Sequence, residues 1–408
     1  MTRLGRFLAV WGNGQHGRLG HGTESSEVFP RIVQALAGSR VAHVAAGGAH
    51  TAVATEDGCL WTFGLNNNGQ LGCLKDTPYA VAPVEVILPD SIKAVAAGES
   101  HTLALSSSGE VWAAGSNVDG QLGLGAAFGA KNAEFRLIRA LQGVRVAAIA
   151  AGNQHSLALS DDGKVFAWGH GQFGALGLGT GKLRWEAFPD QVAALAAVKV
   201  SSIAAGAFHS GAVAEEGSAW MWGNGSSWQL GTGANVHECL PQQIRGLRHV
   251  SQLCLGFSHS MSIGKHGDVY TWGTDENGSL GQGFNWPTAP SRTPEPVKLR
   301  LQSGAAGWKH SAGVTSDGRL ITWGWGGAVG SGGFLSPGAD LGAGQLGHGD
   351  DSDQYDPKQV QRLQISRVRY RDLRQSVGGA PWHALQVACA RNHTAAVIEA
   401  DISPAELQ

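Results

Sequence analysis

A repeat of about 50 residues constrains this 408-residue chain more than any other feature. Its first signal is Ala-Ala-Gly, then two variable residues, then His-Ser or His-Thr, with drift in some of the later copies. The histidines of seven copies are 51, 54, 54, 50, 51 and 83 residues apart: His50, His101, His155, His209, His259, His310 and His393. Self-similarity at such a period is typical of repeat architectures, so the sequence predicts one array of similar units.

Two further signals keep the same period. An apolar residue precedes Gly at the end of a short apolar run, at Trp11, Phe63, Ala114, Trp168, Trp222, Trp272 and Trp323, with spacings of 52, 51, 54, 54, 50 and 51 residues. A Gly-rich turn with Leu-Gly recurs at Leu19, Leu71, Leu122, Leu176, Leu230, Leu280 and Leu346. Because independent signals agree, we count seven units.

Each unit has the pattern of short antiparallel strands. Residues 50–54 alternate in character, Asp57-Gly58 forms a turn signal, and residues 59–63 alternate again. The 61 glycines fit many tight turns. One small sheet cannot bury its own faces, whereas sheets packed around an axis can, with Ala-Ala-Gly on the crowded innermost strand. The sequence predicts an all-β, seven-bladed β-propeller forming a single domain over residues 1–408.

The chain begins and ends inside a unit. Residues 7–12 form the second half of a hairpin, and residues 393–398 form the first half of one. We therefore expect the N-terminal strand to pair with the strand at 394–398 and so to close the ring without a covalent bond.

The motifs resemble the regulator-of-chromosome-condensation repeat, which combines a Trp-Gly strand end, a Gly-Gln-Leu-Gly turn and Ala-Ala-Gly-x-x-His-Thr. Three turns match it letter for letter, at residues 69–72, 120–123 and 344–347. The resemblance extends over about residues 7–400 and implies a seven-bladed propeller of this repeat type. The family includes an exchange factor for a small nuclear GTPase that also binds nucleosomes, a plant UV-B photoreceptor and many scaffolds. Fold alone does not assign function.

Composition argues against several classes of activity. A net charge of −2 provides no general field for polyanions. The five cysteines include no C-x-x-C pair, and a zinc ion needs three or four converging ligands, whereas the repeated histidines belong to different units. We expect those imidazoles to be buried and bonded to backbone groups, with no metal, no cofactor and no enzymatic activity. No secretion signal or spanning apolar segment is evident, so we expect an intracellular protein of the nucleus, the cytoplasm or both.

The 14 tryptophans raise the question of light sensing. The light-sensing tryptophans of the plant UV-B photoreceptor directly follow the blade glycine in several blades, and here only Trp325 does so. That photoreceptor also repeats Gly-Trp-Arg-His-Thr, which only residues 307–311 approach. We therefore expect no exciton-coupled tryptophan cluster, although a UV-B photoreceptor-like signalling protein remains the second alternative.

The last unit, which we count as blade seven, departs from the repeat through two insertions, at about 326–344 and 361–386. Insertions in propellers map to loops on one face, often the binding face. The second insertion is rich in arginine, at Arg362, Arg367, Arg369, Arg371 and Arg374. In an extended strand Arg367, Arg369 and Arg371 would share one side. This pattern has two interpretations: a solvated edge strand, or a strip that grips an acidic partner.

The function predicted from the sequence is a non-enzymatic binding scaffold with those five arginines as partner-binding residues. The candidate partners are proteins, with an acidic protein surface, a histone or chromatin surface and a small GTPase as the classes considered. Guanine-nucleotide exchange on a small nuclear GTPase is the first alternative. The Trp-Gly-Trp-Gly-Gly insertion also resembles a plant nuclear branch of the family linked to cold tolerance. Direct nucleic-acid binding and the oligomeric state are left open.

Overall fold

In a computed structural model that describes residues 5–284, 289–328, 344–366, 369–372 and 382–407, the strands form seven sheets. Six sheets have four antiparallel strands that follow one another along the chain, and the seventh combines strands from both ends of the chain. The seven-bladed propeller predicted from the repeat count is confirmed.

The sheets are numbered along the chain, and each runs from the innermost strand outward. The first comprises β3 Val41–Ala46, β4 His50–Thr55, β5 Leu60–Leu65 and β6 Tyr79–Val86; the second, β7 Ile92–Ala97, β8 His101–Ser106, β9 Val111–Ser116 and β10 Lys131–Leu137; the third, β11 Val146–Ala151, β12 His155–Ser160, β13 Val165–His170 and β14 Trp185–Gln191. The fourth comprises β15 Val200–Ala205, β16 His209–Ala214, β17 Ala219–Gly223 and β18 Glu238–Gln243; the fifth, β19 Val250–Leu255, β20 His259–Gly264, β21 Asp268–Gly273 and β22 Ser291–Arg300; the sixth, β23 Ser303–Ala306, β24 His310–Val314, β25 Leu320–Gly324 and β26 Gln354–Gln359.

The seventh sheet closes the ring. From the axis outward it contains β29 Trp382–Cys389, β30 His393–Ala400, β1 Gly5–Gly12, β2 Glu27–Ile32, β27 Arg362–Gln364 and β28 Tyr370–Asp372. Strand β1 pairs with β30 in an unbroken antiparallel register from Gly5↔Ala400 to Gly12↔His393. This confirms the predicted closure, and because β1 is a central strand, both of its edges are paired.

Helices are few and short. One four-residue α-helix, α1, spans Pro404–Leu407. The 3₁₀ segments are Gln15–Gly17, Gln34–Leu36, Ala126–Phe128, Arg139–Leu141, Gln172–Gly174, Thr180–Lys182 and Ala193–Leu195. Among the described residues, none of the helices has the length and apolar character needed to cross a bilayer.

The core lies between neighbouring sheets and contains the repeated residue that precedes Gly. Trp168 is fully buried, and its indole Nε1–H donates to the carbonyl of Gln121 in the second sheet at 2.9 Å. Trp222, Trp272 and Trp323 make the same bond to the sheet before them. The glycine of the Leu-Gly turn faces this indole: at Gly123 φ is +69°, and a Cβ would lie 2.9 Å from Trp168 Nε1. This contact explains why the turn and the tryptophan recur together.

The two ends of the ring differ. We call the upper face the end that carries residues 47–49 and 65–78 and their equivalents, and the lower face the end that carries the tight turn 56–59 and its equivalents. The segment at 326–344 follows the upper end of β25, and Gly344 N–H donates to the Gly326 carbonyl at 2.9 Å. The segment after β26 leaves from the lower face. The interval between the repeated histidines His310 and His393 contains both insertions, which is why the sequence placed them in one unit. The sheets divide the chain differently, so the first lies within the sixth sheet and the second connects the sixth sheet to the seventh.

Candidate functional site

The seven repeated histidines form a closed ring of contacts between sheets. His50 Nε2 lies 2.8 Å from the hydroxyl of Thr102, which follows the histidine of the next sheet. The same contact joins every sheet to the next, at 2.8–3.0 Å: His101–Ser156, His155–Ser210, His209–Ser260, His259–Ser311, His310–Thr394 and His393–Thr51. The repeated His-Ser/Thr pair therefore has a structural role. In each sheet the histidine hydrogen-bonds to the next sheet, and the Ser or Thr hydroxyl hydrogen-bonds to the histidine of the sheet before.

The hydroxyls also fix the histidine tautomer. Thr102 donates its own hydrogen to the Gln70 carbonyl at 2.7 Å, so the bond to His50 must use the imidazole Nε2–H. Burial favours this neutral form, and it lowers the pKa of His50 to about 4 and of His101 to about 3. We expected these imidazoles to bond to backbone groups. That expectation is wrong: the imidazole bonds to a side-chain hydroxyl of the neighbouring sheet, and it is this hydroxyl that bonds to the backbone carbonyl.

The glycine of Ala-Ala-Gly is required by close approach between sheets. A Cβ on Gly47 would lie 2.4 Å from the Gly98 carbonyl oxygen and 2.5 Å from His50 Cε1. Small residues on the inner strands leave a central channel of about 420 Å³ along the axis. Each repeat copy contributes at least one of its two variable residues to the upper mouth of this channel.

Aromatic side chains from these variable positions collect on one side of the mouth. Phe208, Phe257 and Trp308 come from the fourth, fifth and sixth sheets, and their rings meet edge to face with centroids 5.8 and 5.9 Å apart. Phe173 extends the row at one end at 6.0 Å, and Trp325 extends it at the other at 5.9 Å. We call these five residues the aromatic arc. Phe257 is 37% exposed and Phe173, Phe208 and Trp308 are half-buried, so these four rings can meet a partner, whereas Trp325 is buried at the end of the row.

Two cations flank the arc and are themselves held by carboxylates. The guanidinium carbon of Arg391 lies 4.7 Å from the Trp308 ring centroid, and the Lys309 ammonium lies 5.4 Å from it. Arg391 pairs with Glu99 at 3.2 Å across the mouth, and Lys309 pairs with Glu276 at 3.1 Å. This site was not predicted from the sequence, because the repeat is defined by the residues that stay constant among the copies and the arc is built from residues that vary. The signal that could have found it is the change of the two variable residues from Gly-Ala in the first copy to Phe-Ser and Trp-Lys in the fifth and sixth.

The arginine segment predicted from the sequence lies on the lower face, away from the arc. Of its five residues, Arg367 and Arg374 fall outside the described part of the chain. Arg362 on β27 pairs with Asp372 on β28 at 3.0 Å, and its guanidinium also lies over the Phe29 ring at 5.5 Å. Strands β27 and β28 pair antiparallel, and Ile365 N–H donates to the Arg369 carbonyl at 2.9 Å. Of the strand expected over residues 366–372, the described part contains β28 at Tyr370–Asp372, and the position of Arg367 lies outside the described residues.

Arg369 and Arg371 share one side of this hairpin, and that side faces residues 401–407. Arg369 donates to the Ala405 carbonyl at 2.6 Å. Arg371 donates to the Asp401 carbonyl at 2.6 Å and pairs with the Glu406 carboxylate at 2.9 Å. Both guanidinium groups already hold an acidic segment, and it belongs to this chain.

Reactive groups are scarce around the channel. Burial raises the pKa of the Cys254 thiol to about 12 and also raises that of Cys389, which lines the channel, so neither thiol is a ready nucleophile. Within the part of the chain that the structure describes, no three His, Cys, Asp or Glu side chains are grouped as metal ligands.

Sequence comparison places the chain among known relatives. It is 30% identical over 403 residues to the ultraviolet-B receptor UVR8 of Arabidopsis thaliana, covering 97% of this chain and 71% of that protein. It is 37% identical over 224 residues to RUG3, a mitochondrial RCC1 domain-containing protein of Arabidopsis thaliana, covering 53% of this chain and 49% of that protein. The chain thus spans about half of RUG3 and most of UVR8.

Structural comparison supports the same assignment. Prp20p from Saccharomyces cerevisiae, a protein studied for its binding to Gsp1p and histones, superposes with a TM-score of 0.79 at 20% identity, covering 99% of this chain and 93% of that one. This likeness concerns the fold. The RCC1-like domain family model matches residues 7–396, nearly the whole ring. On the repeat, the closed propeller and this match together, the chain belongs to the RCC1-like domain family.

Proposed function

We propose that the protein is a non-enzymatic binding protein that holds a protein partner on the upper face of its ring, with the aromatic arc as the main contact. The carrying observation is the continuous row of five rings from Phe173 to Trp325, bordered by Arg391 and Lys309. Tryptophan and arginine are enriched among residues that dominate binding energy, and aromatic side chains in general are enriched at interfaces.

The surroundings of the arc suit such a contact. Edge-to-face packing and the two cations hold the rings in place, so little side-chain entropy remains to be lost on binding. The Arg391–Glu99 and Lys309–Glu276 pairs provide a polar rim of both signs around the apolar centre. A partner that matches this surface would present apolar side chains for the arc and charges of both signs around them.

The family offers two classes of partner for testing. Prp20p was studied for its binding to Gsp1p and histones, so a histone surface is one candidate. A small GTPase is the other, because the repeat resembles that of an exchange factor for such a protein. Guanine-nucleotide exchange stays the alternative function. It requires accelerated nucleotide release and not capture alone, so the two functions separate experimentally.

Comparative capture tests the proposal. Proteins retained by the parent chain would be identified by mass spectrometry beside those retained by Phe257→Glu and by the control Phe188→Glu. Phe188 is 56% exposed on outer strand β14, away from the mouth, and so controls for a charge placed on any exposed ring. We expect Phe257→Glu to lose a partner that Phe188→Glu keeps. Equal retention by both variants would contradict the proposal, and release of a labelled GDP from a captured GTPase would identify exchange activity.

A further inference from the structure

Residues 401–407 form a compact segment that organises itself before it touches the ring. Ser403 caps α1: its backbone N–H donates to the Glu406 carboxylate at 2.9 Å, and its hydroxyl donates to the same oxygen at 2.9 Å. Pro404 stands at the first helical position, where its lack of an N–H costs nothing. Ile402 before the cap and Leu407 after Glu406 occupy the positions of a hydrophobic staple. The order apolar–Ser–x–x–Glu–apolar therefore encodes a single helical turn.

The ring receives this turn in a groove on the lower face. Arg371 contacts both the Asp401 carbonyl and the Glu406 carboxylate, and Arg369 contacts the Ala405 carbonyl. Gln34, in the 3₁₀ segment after β2, donates to the Leu407 carbonyl at 2.8 Å. Ile402 and Leu407 pack against the core cluster between the sixth and seventh sheets, which includes Leu363 and Ile365. We call these contacts the arginine groove.

The groove contacts the backbone of the helical turn more than its side chains. Among the contacts of the described residues, three go to backbone carbonyls and one goes to the Glu406 carboxylate. Its Ser403 hydrogen bonds and Arg371 hold the pKa of Glu406 at about 2, so this carboxylate is charged across the physiological range. A different chain with the same cap, carboxylate and apolar pair would make the same contacts.

We infer that the arginine groove is a peptide-binding site, filled in cis by residues 401–407, that accepts an acidic helical turn of the form apolar–Ser/Thr–x–x–Glu/Asp–apolar from a partner protein. This site lies on the face opposite the aromatic arc and does not depend on it. It also gives a definite role to the arginine segment recognised in the sequence, because Arg369 and Arg371 bind the ligand backbone and its carboxylate.

Residues 401–407 compete with any added peptide for the arginine groove, and their effective concentration sets how strongly they compete. A short tether gives an effective concentration of about 1 mM. If the free peptide binds with a Kd of about 100 µM, the cis segment lowers its apparent affinity about tenfold. Weakening the cis segment should therefore reveal binding in trans, whereas removing the arginines should abolish it.

The probe is a dye-labelled synthetic peptide of residues 400–408, followed by fluorescence anisotropy. We expect the full chain carrying Ile402→Ser and Leu407→Ser to bind the peptide about tenfold more tightly than the parent chain does. Adding Arg369→Glu and Arg371→Glu to that variant should remove the binding, and a peptide with Glu406→Gln should bind more weakly. A folded Ile402→Ser/Leu407→Ser chain that binds no more tightly than the parent, or binding that survives loss of both arginines, would overturn the inference.

A second measurement uses the unaltered chain and so does not depend on how the variants fold. Hydrogen exchange of residues 401–407 would be followed by mass spectrometry with and without a saturating acetylated peptide, whose added mass separates it from the cis segment. We expect exchange in the cis segment to become faster as the peptide displaces it. Unchanged exchange at saturation would show that the groove does not release its own segment. Because neither readout involves the upper face, failure here leaves the aromatic-arc proposal standing, and the reverse also holds.

Discussion

The Nε2 atom of His393 lies 3.0 Å from the hydroxyl of Thr51, a residue 342 positions earlier in the chain. This bond joins the seventh sheet to the first and completes the ring of histidine–hydroxyl contacts. Arg6 reinforces the same seam, since it pairs with Glu399 at 2.9 Å within the seventh sheet and with Glu56 at 2.7 Å in the first. Closure thus depends on β1 together with side chains that bridge the seam.

Removal of β1 should destroy the ring. Deleting residues 1–12 leaves β30 and β2 without their shared neighbour and removes Leu8 and Val10, so that the buried apolar residues packed with them, such as Val33, Leu36 and Val397, become exposed. Unpaired strand edges and apolar surface favour aggregation. We expect an insoluble chain or a melting temperature far below that of the parent, measured by circular dichroism. A deletion variant that melts like the parent would show that the ring does not need this strand.

A single hydroxyl at the seam should carry measurable stability. Thr51→Val keeps the side-chain shape but leaves the His393 Nε2–H and the Arg18 carbonyl without this partner. Each buried group left unsatisfied costs about 1–3 kcal/mol. We expect the free energy of unfolding in urea to fall by at least that amount, while the control Ser107→Ala, in an exposed turn, changes it by less than about 0.5 kcal/mol. Equal values for the two variants would contradict a stabilising role for the histidine ring.

Acid should weaken the protein before its carboxylates titrate. Burial lowers the pKa of His101, His209 and His310 to about 3 and of His50, His155 and His259 to about 4, from 6.5. The unfolded chain therefore binds more protons than the folded one below pH 6.5. The free energy of unfolding is therefore unaffected by these histidines above pH 6.5. It falls as the pH is lowered from 6.5 toward 4, by up to about 1.4 kcal/mol per pH unit for each histidine.

Denaturation midpoints in urea at pH 7, 6 and 5 measure this dependence. We expect a steep fall between pH 6 and 5, and a shallower fall in the variant His155→Gln, which lacks one of the titrating groups. A midpoint that stays constant from pH 7 to 5 would mean that the imidazoles are not held neutral in the folded ring.

UV-B light should not dissociate an assembly of this protein. In the aromatic arc only Trp308 and Trp325 are tryptophans, and the other three rings are phenylalanines, which do not absorb at UV-B wavelengths. The similarity to UVR8 over 97% of this chain makes the measurement worthwhile. Size-exclusion chromatography before and after illumination should give the same elution volume. A light-driven shift to a smaller species would contradict this expectation.

The sequence predicted the ring better than it predicted the surfaces on it. The repeat made the sheet count and the β1–β30 pairing predictable, because buried residues such as Trp168 must satisfy the same packing in every sheet. The contact between Phe208 and Phe257 was not predictable in this way, since it joins variable residues 49 positions apart that only the ring brings together. Arg371 was predicted to bind a partner protein, but its contact with Glu406, 35 positions later in the same chain, was not predictable because it depends on how the chain returns to the lower face.

The affinity of one purified partner for the aromatic arc tests the central proposal most directly. With the captured protein in hand, its Kd would be measured for the parent, for Trp308→Ala and for Phe188→Ala, each confirmed as folded by its melting temperature. A residue at the centre of an interface contributes about 2 kcal/mol or more, which corresponds to about a 30-fold change in Kd. We predict at least that loss for Trp308→Ala and less than about a threefold change for Phe188→Ala. Equal affinity of all three chains for the partner would show that the aromatic arc is not the surface that holds it.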